Sequence, residues 1–128
     1  MIAIEWDYKG FIWMTVPFYS RYWHSVGDPI NITDHHFRDS LPAGGFVAYD
    51  TLKREWLPNR DFEHRWHSKS NTPYLWSPRQ RVLLSAENRE SVTRKARYAV
   101  ERRLGGLSMW ALDFDDTNHD LFQASLSK

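Results

Sequence analysis

The stretch Leu104-Gly-Gly-Leu-Ser-Met-Trp-Ala-Leu-Asp-Phe-Asp-Asp116 decides the fold of this chain. Its apolar run from Leu107 to Leu112 follows a pair of glycines and precedes three carboxylates. A short apolar run between such turn signals is typical of a strand that is buried on both faces, as in parallel sheets. We therefore predict a buried parallel strand that carries Trp110 and has polar groups at its carboxyl end.

The segment before this strand predicts a helix from Glu90 to Arg103. Its apolar residues have the i, i+4, i+7, i+8 spacing of one helix face: Val92, Ala96, Ala99 and Val100. Asn88 is placed to cap the start of the helix, and Gly105 is placed to end it with a positive φ. A helix, a glycine turn and a buried strand in this order indicate an α/β protein.

Residues 105–116 resemble the last barrel strand of glycoside hydrolase family 18, the chitinases and chitinase-like lectins. The family pattern there is roughly G-G-x-M-x-W-x-[LIS]-D-x-D-D. The resemblance implies a (β/α)8 barrel, and it implies that Trp110 forms the apolar floor under a bound sugar.

A second motif is Pro17-Phe-Tyr-Ser-Arg-Tyr-Trp23. It resembles the P-[FT]-Y-G-R-x-[WF] segment at the end of the family's seventh barrel strand, where the Tyr and the Arg line the sugar cleft. The resemblance assigns Tyr19 and Arg21 to this role. Ser20 replaces the usual Gly, so it strains the loop if the position requires a positive φ.

The third motif, Gly44-Gly-Phe-Val-Ala-Tyr-Asp-Thr-Leu52, resembles the E-G-G-x-x-x-Y-x-x-[LIV] segment that opens a small α+β insertion in many family members. The resemblance places Phe46 where an apolar side chain faces the ligand, whereas Ala43 replaces the usual acidic residue. Helical spacing of the apolar residues predicts a helix from Phe46 to Arg54.

Four further β-prone segments complete the pattern. Phe11–Val16 is closed by Pro17, and three short strands are predicted over 62–66, 72–76 and 81–85. The last two resemble a family hairpin, with Ala86 and Glu87 in place of its acidic pair.

Residues 2–10 resemble a degenerate form of the family's catalytic strand, D-x-x-D-x-D-W-E-Y-P-G. In this alignment Asp7 takes the place of the acid Glu, Glu5 takes that of the Asp that orients the substrate, and Ala3 takes that of the middle Asp. The alternative is a chance match of a short strand. In the barrel order of the family, two further strands and their helices lie between these two motifs, but Asp7 and Tyr19 are too close in this sequence to hold them. The other interpretation is therefore that the chain is an internally deleted or alternatively joined version of a longer parent.

The predicted fold class is α/β, a partial (β/α)8 TIM barrel with a small α+β insertion. A closed barrel needs about 200 residues or more, and this chain has 128. We expect one partial domain over 1–128, with barrel strands in 1–21, the insertion region in 22–85, and the last helix and strand in 86–128.

Composition excludes several classes of function. The net charge is +1, and 17 basic residues are scattered among 16 acidic ones, so the sequence predicts neither a nucleic-acid nor a membrane partner. Cysteine is absent, and we predict no cofactor. Asp34-His35-His36 and the pair His64 and His67 lack the convergence of a metal site, so we interpret them as surface histidines.

The aromatic share of 16% suits either a large core or stacking on sugar rings. No signal peptide is recognised at Met1–Asp7, and the family resemblance implies an extracellular location. Oligomeric state is left open.

Family enzymes cleave β-1,4-linked N-acetylglucosamine chains by substrate-assisted retention, in which a protein acid protonates the leaving oxygen and the sugar's own acetamide attacks. Because Asp7 is one methylene shorter than Glu and Ala3 replaces an Asp, we predict a domain that binds chitin oligomers with little or no hydrolysis. The alternatives are an active chitinase in a longer parent and a truncated product without function.

Overall fold

The computed structural model describes residues 8–27 and 44–127. The strands are β1 (Trp13–Pro17), β2 (Tyr19–Trp23), β3 (Gly44–Ala48), β4 (Glu63–His67), β5 (Thr72–Ser77), β6 (Val82–Ser85) and β7 (Gly106–Trp110). The helices are α1 (Tyr49–Thr51), which continues as a π-helical turn over Leu52–Trp56, α2 (Arg89–Glu101) and α3 (Asp120–Ser125), with 3-10 turns over Tyr8–Phe11 and Leu112–Phe114.

Strands β1 and β7 form a two-stranded parallel sheet, which confirms the predicted parallel strand around Trp110. The register runs from Trp13 opposite Gly106 to Pro17 opposite Trp110. The expectation that this strand is buried on both faces is wrong, because the Trp110 side chain is 65% exposed. Within the described residues β7 has a single strand neighbour, β1.

The glycine pair lets β1 approach β7 closely. The Gly105 N–H donates to the Ile12 carbonyl over 2.8 Å. At Gly106, where φ is +153°, a Cβ would lie 2.7 Å from the Trp13 ring. The prediction that Gly105 ends α2 with a positive φ is wrong, since the helix ends at Glu101 and Arg103 takes the left-handed conformation.

Helix α2 begins as predicted. The Asn88 side chain accepts from the Ser91 N–H over 2.9 Å, and the Ser91 hydroxyl accepts from the Asn88 N–H over 2.9 Å, a reciprocal capping box. Of its four predicted core residues, Val92, Ala96 and Ala99 are buried. Val100 is 68% exposed, because it lies at the edge of the apolar stripe.

Five antiparallel strands form the second sheet, in the order β3-β2-β6-β5-β4. Strands β4, β5 and β6 confirm the three short strands predicted from the sequence, and β5 and β6 pair as a hairpin. The predicted start of a helix at Phe46 is wrong. Phe46 lies in β3 opposite Arg21, and the helix begins at Tyr49, because pairing with β2 overrides the helical spacing of the apolar residues.

The main hydrophobic core joins the two sheets and the helices. Its most deeply buried members include Val16, Phe18, Leu52, Leu84, Val92 and Leu121. Phe18 stands between β1 and β2, where its N–H donates to Trp110 and its carbonyl accepts from the Tyr49 N–H over 3.0 Å. The core therefore fixes β2 relative to the end of β7.

Candidate functional site

Trp110 is the last residue of β7 and lies at the carboxyl end of the parallel pair. Its carbonyl oxygen accepts a hydrogen bond of 2.7 Å from the Phe18 N–H, directly before β2 begins at Tyr19. The Trp110–Ala111 peptide bond is cis. The exposed indole and the first residue of β2 thus belong to the same end of the molecule.

Three aromatic side chains from three separate elements pack against one another beside this end. The ring centroid of Tyr19 lies 5.9 Å from that of Phe46 and 6.2 Å from that of Phe114, with both pairs edge to face. The Phe46 and Phe114 centroids are 6.1 Å apart. We call Tyr19, Phe46 and Phe114 the aromatic wall. Such pairs each contribute about 0.5 to 1.5 kcal/mol beyond the area that they bury.

Arg21 extends the aromatic wall with a charged group. Its guanidinium carbon lies 5.6 Å from the centre of the Tyr19 ring. Arg21 is also directly opposite Phe46 in the β2–β3 register, so the three side chains share one face of the sheet. The tertiary structure therefore brings together Tyr19, Arg21 and Phe46, three residues singled out in the sequence.

Sequence reasoning did not identify Phe114 as part of the site. It lies in the 3-10 turn that follows β7, in the motif Asp113-Phe-Asp115. The available signal was its position only four residues after Trp110 in the stretch that decides the fold. What a sequence does not show is that this turn folds back against β2 and β3.

Ser20 does not strain the site. The residue lies in the extended strand β2, where no positive φ is required, and its side chain is buried on the face opposite to Tyr19 and Arg21. The substitution of the usual Gly is therefore accommodated, because an extended strand accepts any residue with a Cβ.

Two of the three carboxylates after β7 have structural roles. Asp115 accepts from the N–H groups of Leu121 and Phe122 over 3.2 and 2.8 Å, at the start of α3. Asp116 accepts from Lys53 Nζ over 2.5 Å and from the Asp120 N–H over 2.9 Å. The third carboxylate, that of Asp113, is exposed.

The ion pair of Lys53 and Asp116 shifts the pKa values of both groups. Burial raises the pKa of Asp116, but hydrogen bonds from the Asp120 N–H and from Lys53 more than offset it, so the pKa lies below its usual value. Hydrogen bonds to Asp116 and Asp120 raise the pKa of Lys53. Burial also raises the pKa of the nearby Tyr49 phenol, to about 12.

The predicted catalytic residues Glu5 and Asp7 lie outside the described residues, as do Ala43 and the Asp34-His35-His36 motif. His67, the last residue of β4, has its Nδ1 2.5 Å from the hydroxyl of Ser70 in the following turn. Within 8–27 and 44–127, no cluster of three or more His, Cys, Asp or Glu side chains is arranged to hold a metal ion. None of the helices in these ranges has the length and apolar character needed to cross a bilayer.

The family described as Glycosyl hydrolases family 18 matches residues 9–115 of the chain. Chitinase B from Serratia marcescens is 31% identical over 91 residues, which cover 71% of this chain. Among solved structures, a family 18 N-acetylglucosaminidase from Paenibacillus barengoltzii is 26% identical, with a TM-score of 0.77 over 91% of this chain. A plant class V chitinase mutant from Cycas revoluta, in complex with (GlcNAc)3, has a TM-score of 0.66 and is 20% identical over 87% of this chain.

These relatives are much longer than the matched region. The chain spans 18% of the Serratia protein, 33% of the Paenibacillus structure and 31% of the Cycas structure. The match therefore concerns one part of each relative. The residues matched by the family include the four substrate-binding residues predicted from the sequence, Tyr19, Arg21, Phe46 and Trp110, and also Phe114.

Proposed function

The chain belongs to glycoside hydrolase family 18, and on this premise we propose that it is a chitinase-like domain that binds β-1,4-linked N-acetylglucosamine oligomers with little or no hydrolysis. The observation that carries the proposal is the position of Trp110, an exposed indole at the end of β7 whose carbonyl is bonded to Phe18, directly before Tyr19 of the aromatic wall. Partners of other classes, such as nucleic acid or a membrane, are not part of the proposal.

The aromatic wall and Trp110 suit a sugar ligand for a physical reason. A pyranose ring presents flat C–H faces that stack on aromatic rings and a rim of hydroxyls that need hydrogen bonds. Trp110 supplies a face that is 65% exposed, and Phe46 is 57% exposed. The Tyr19 hydroxyl and the Arg21 guanidinium supply polar groups, and we propose that they bind the acetamide and hydroxyl rim of the sugar.

Two of the three carboxylates that follow Trp110 do not suit the role of general acid. A general acid must hold its proton near neutral pH, which requires a raised pKa. Asp115 is occupied in capping α3, and Asp116 is paired with Lys53 and has a lowered pKa. The assignment of Asp7 as acid and of Glu5 as its partner remains a prediction from the sequence. Because the Asp7 side chain is one methylene shorter than Glu, this assignment supports a low rate of hydrolysis.

We further propose that the parallel sheet of β1 and β7 corresponds to two neighbouring strands of a (β/α)8 barrel. Support comes from their parallel pairing and from α2, which precedes β7 and packs on it. The division into 1–21, 22–85 and 86–128 remains a prediction. The boundary predicted between residues 21 and 22 falls inside strand β2. This strand begins at Tyr19 and pairs with β3 and β6 of the antiparallel sheet.

A titration tests the proposal directly. The 128-residue chain is titrated with N-acetylglucosamine trimers to hexamers while tryptophan fluorescence is recorded, and a chromogenic β-linked N-acetylglucosaminide reports hydrolysis. We expect a saturable fluorescence change without release of chromophore. No change up to millimolar ligand would contradict the binding function and favour a truncated product without function. Chromophore release that is lost on Asp7→Ala would contradict the proposed inactivity.

A second candidate is an active chitinase of which this chain is one part. It is favoured by the fact that the curated relatives are named chitinases, and the chain spans between 15% and 20% of their lengths. In that case the acid would come from residues beyond the matched region. The extracellular location also remains a proposal that rests on the family alone.

A further inference from the structure

Phe114 occupies a position in the site that its role in the core does not explain. Its ring contacts both Tyr19 and Phe46, and the angle to the Tyr19 ring is 87°. Tyr19 and Phe46 come from the antiparallel sheet, whereas Phe114 comes from the turn that follows Trp110. Phe114 is thus a ring through which the segment after Trp110 contacts Tyr19 and Phe46 of the antiparallel sheet.

The backbone around Phe114 is fixed on both sides. Its N–H donates to the Ala111 carbonyl over 3.0 Å, and the next residue, Asp115, donates its N–H to Leu112 over 3.1 Å. The Asp115 carboxylate caps α3, and the Asp116 carboxylate is bound by Lys53. A ring on such an anchored turn loses little further conformational freedom when it packs against a neighbour.

The contacts of Phe114 leave the Tyr19 ring with one defined orientation. Phe46 meets it edge to face from β3, and Phe114 does so from the turn. The Arg21 guanidinium lies 5.6 Å from the ring centre. Because two neighbouring rings pack against it, a change of the Tyr19 side-chain rotamer, which would redirect the hydroxyl, would break two aromatic contacts at once. The direction of the Tyr19 hydroxyl is therefore coupled to the turn behind Trp110.

We propose that Phe114 is a positioning residue, which holds the Tyr19 ring and Arg21 in register with Trp110 without touching the sugar itself. This inference rests on the proposed sugar-binding function. It predicts that removal of the Phe114 ring weakens binding through Tyr19, and that an aliphatic side chain of similar size restores only part of the affinity.

The test combines binding with a measurement on the ligand-free protein. Phe114→Ala, Phe114→Leu and the control Phe122→Ala are titrated with N,N′,N″-triacetylchitotriose by tryptophan fluorescence. Phe122 is the matched control because it also packs on the main core, on the side of α3. We expect Kd to rise about fivefold to tenfold for Phe114→Ala, less for Phe114→Leu, and to stay unchanged for Phe122→Ala.

A double-mutant cycle separates positioning from general loss of stability. If Phe114 acts through Tyr19, Phe114→Ala has little further effect on Kd in a Tyr19→Ala background. Full additivity, or unchanged affinity in Phe114→Ala, would overturn the proposal.

Ring proton resonances of Tyr19 decide the case in which the wild-type chain binds no sugar. They are assigned from their absence in Tyr19→Phe. We expect them to shift in Phe114→Ala and not in Phe122→Ala, because the ring contacts exist without ligand. In that outcome the sugar-binding function fails while the positioning role of Phe114 stands. Resonances that do not move in Phe114→Ala overturn the positioning role itself.

Discussion

The N–H of Phe18 donates a 2.7 Å hydrogen bond to the carbonyl oxygen of Trp110. This bond continues the parallel register of β1 and β7 by one residue, directly before the chain enters β2 at Tyr19. It explains how residues some ninety positions apart in sequence come to share one end of the fold.

Trp110→Ala is expected to weaken binding of N-acetylglucosamine oligomers at least about tenfold, because the exposed indole supplies the stacking face. Unfolding temperature should change little, since most of the side chain lies in solvent. Isothermal titration calorimetry measures the affinity without using the removed fluorophore. Trp66→Ala, which removes an indole from β4, the last strand in the order of the antiparallel sheet, is the control. Equal affinities for the wild type and Trp110→Ala would rule out the indole as the sugar platform.

Arg21→Ala is expected to raise Kd for the same oligomers about threefold to tenfold, because an exposed guanidinium that binds the sugar rim contributes about one charged hydrogen bond. Arg21→Lys should retain part of the affinity, since it keeps the charge but not the fork of donors. Arg97→Ala, on the exposed face of α2, makes the same change in net charge and serves as control. A similar loss in Arg97→Ala would show that only long-range charge matters.

Gly106→Ala is expected to destabilise the fold by about 2 kcal/mol or more, because the added Cβ meets the Trp13 ring at 2.7 Å in a backbone conformation with φ of +153°. Gly10→Ala is the matched control, since no atom lies within 4 Å of its added Cβ. Urea denaturation measures both. Combining Gly106→Ala with Trp13→Ala should cost less than the sum of the two single changes. Strict additivity would mean that the ring contact is not the cause.

Asp116→Asn is expected to reduce the free energy of unfolding by about 1.5 to 3 kcal/mol, because a buried carboxylate that accepts from Lys53 and from the Asp120 N–H is replaced by a neutral amide. Asp61→Asn is the comparison. It breaks an exposed ion pair with Arg79, and such pairs contribute little. Chemical denaturation at neutral pH distinguishes the two, and an equal effect in both variants would contradict the structural role of Asp116.

The pH dependence of stability follows from the same cluster. The pKa of Asp116 is lower in the folded state, so its contribution is present above the unfolded value of about 3.9 and is lost as the pH falls. The pKa values of Lys53 and Tyr49 are raised, so their contributions are present below about pH 10 and are lost as the pH rises.

We therefore expect a plateau of unfolding free energy between about pH 5 and pH 9, with a fall on both sides. Urea denaturation across the pH range measures this profile. The acid limb should flatten in Asp116→Asn, and the alkaline limb should flatten in part in Lys53→Met, because the contribution of the buried Tyr49 phenol remains. A profile that neither variant changes would place the responsible groups elsewhere in the chain.

Local patterns in the sequence predicted much of the framework. Asn88 and the spacing of Val92, Ala96 and Ala99 gave the start and the buried face of α2, and both are confirmed. The short β-prone segments after Phe62 correspond to β4, β5 and β6. Periodicity and capping act over a few residues, so a sequence displays them directly.

Elements whose conformation depends on distant partners were predicted less well. Gly44–Ala48 has apolar spacing that fits a helix, yet it forms a strand because β2 offers it a pairing partner. Arg103, and not Gly105, takes the left-handed conformation, whereas the glycines lie where β1 and Trp13 pass close to β7. These outcomes reflect tertiary contacts that override local preference.

The sequence by itself determined the family, through three collinear motifs, and it singled out Tyr19, Arg21, Phe46 and Trp110 as site residues. Only the tertiary structure brought Phe114 against Tyr19 and Phe46, assigned Asp115 and Asp116 to capping and ion pairing, and left the Trp110 indole in solvent. The physical reason is that these contacts join residues far apart in the sequence. A motif records which side chains a site uses, whereas their distances and exposure depend on how the two sheets pack around the main core.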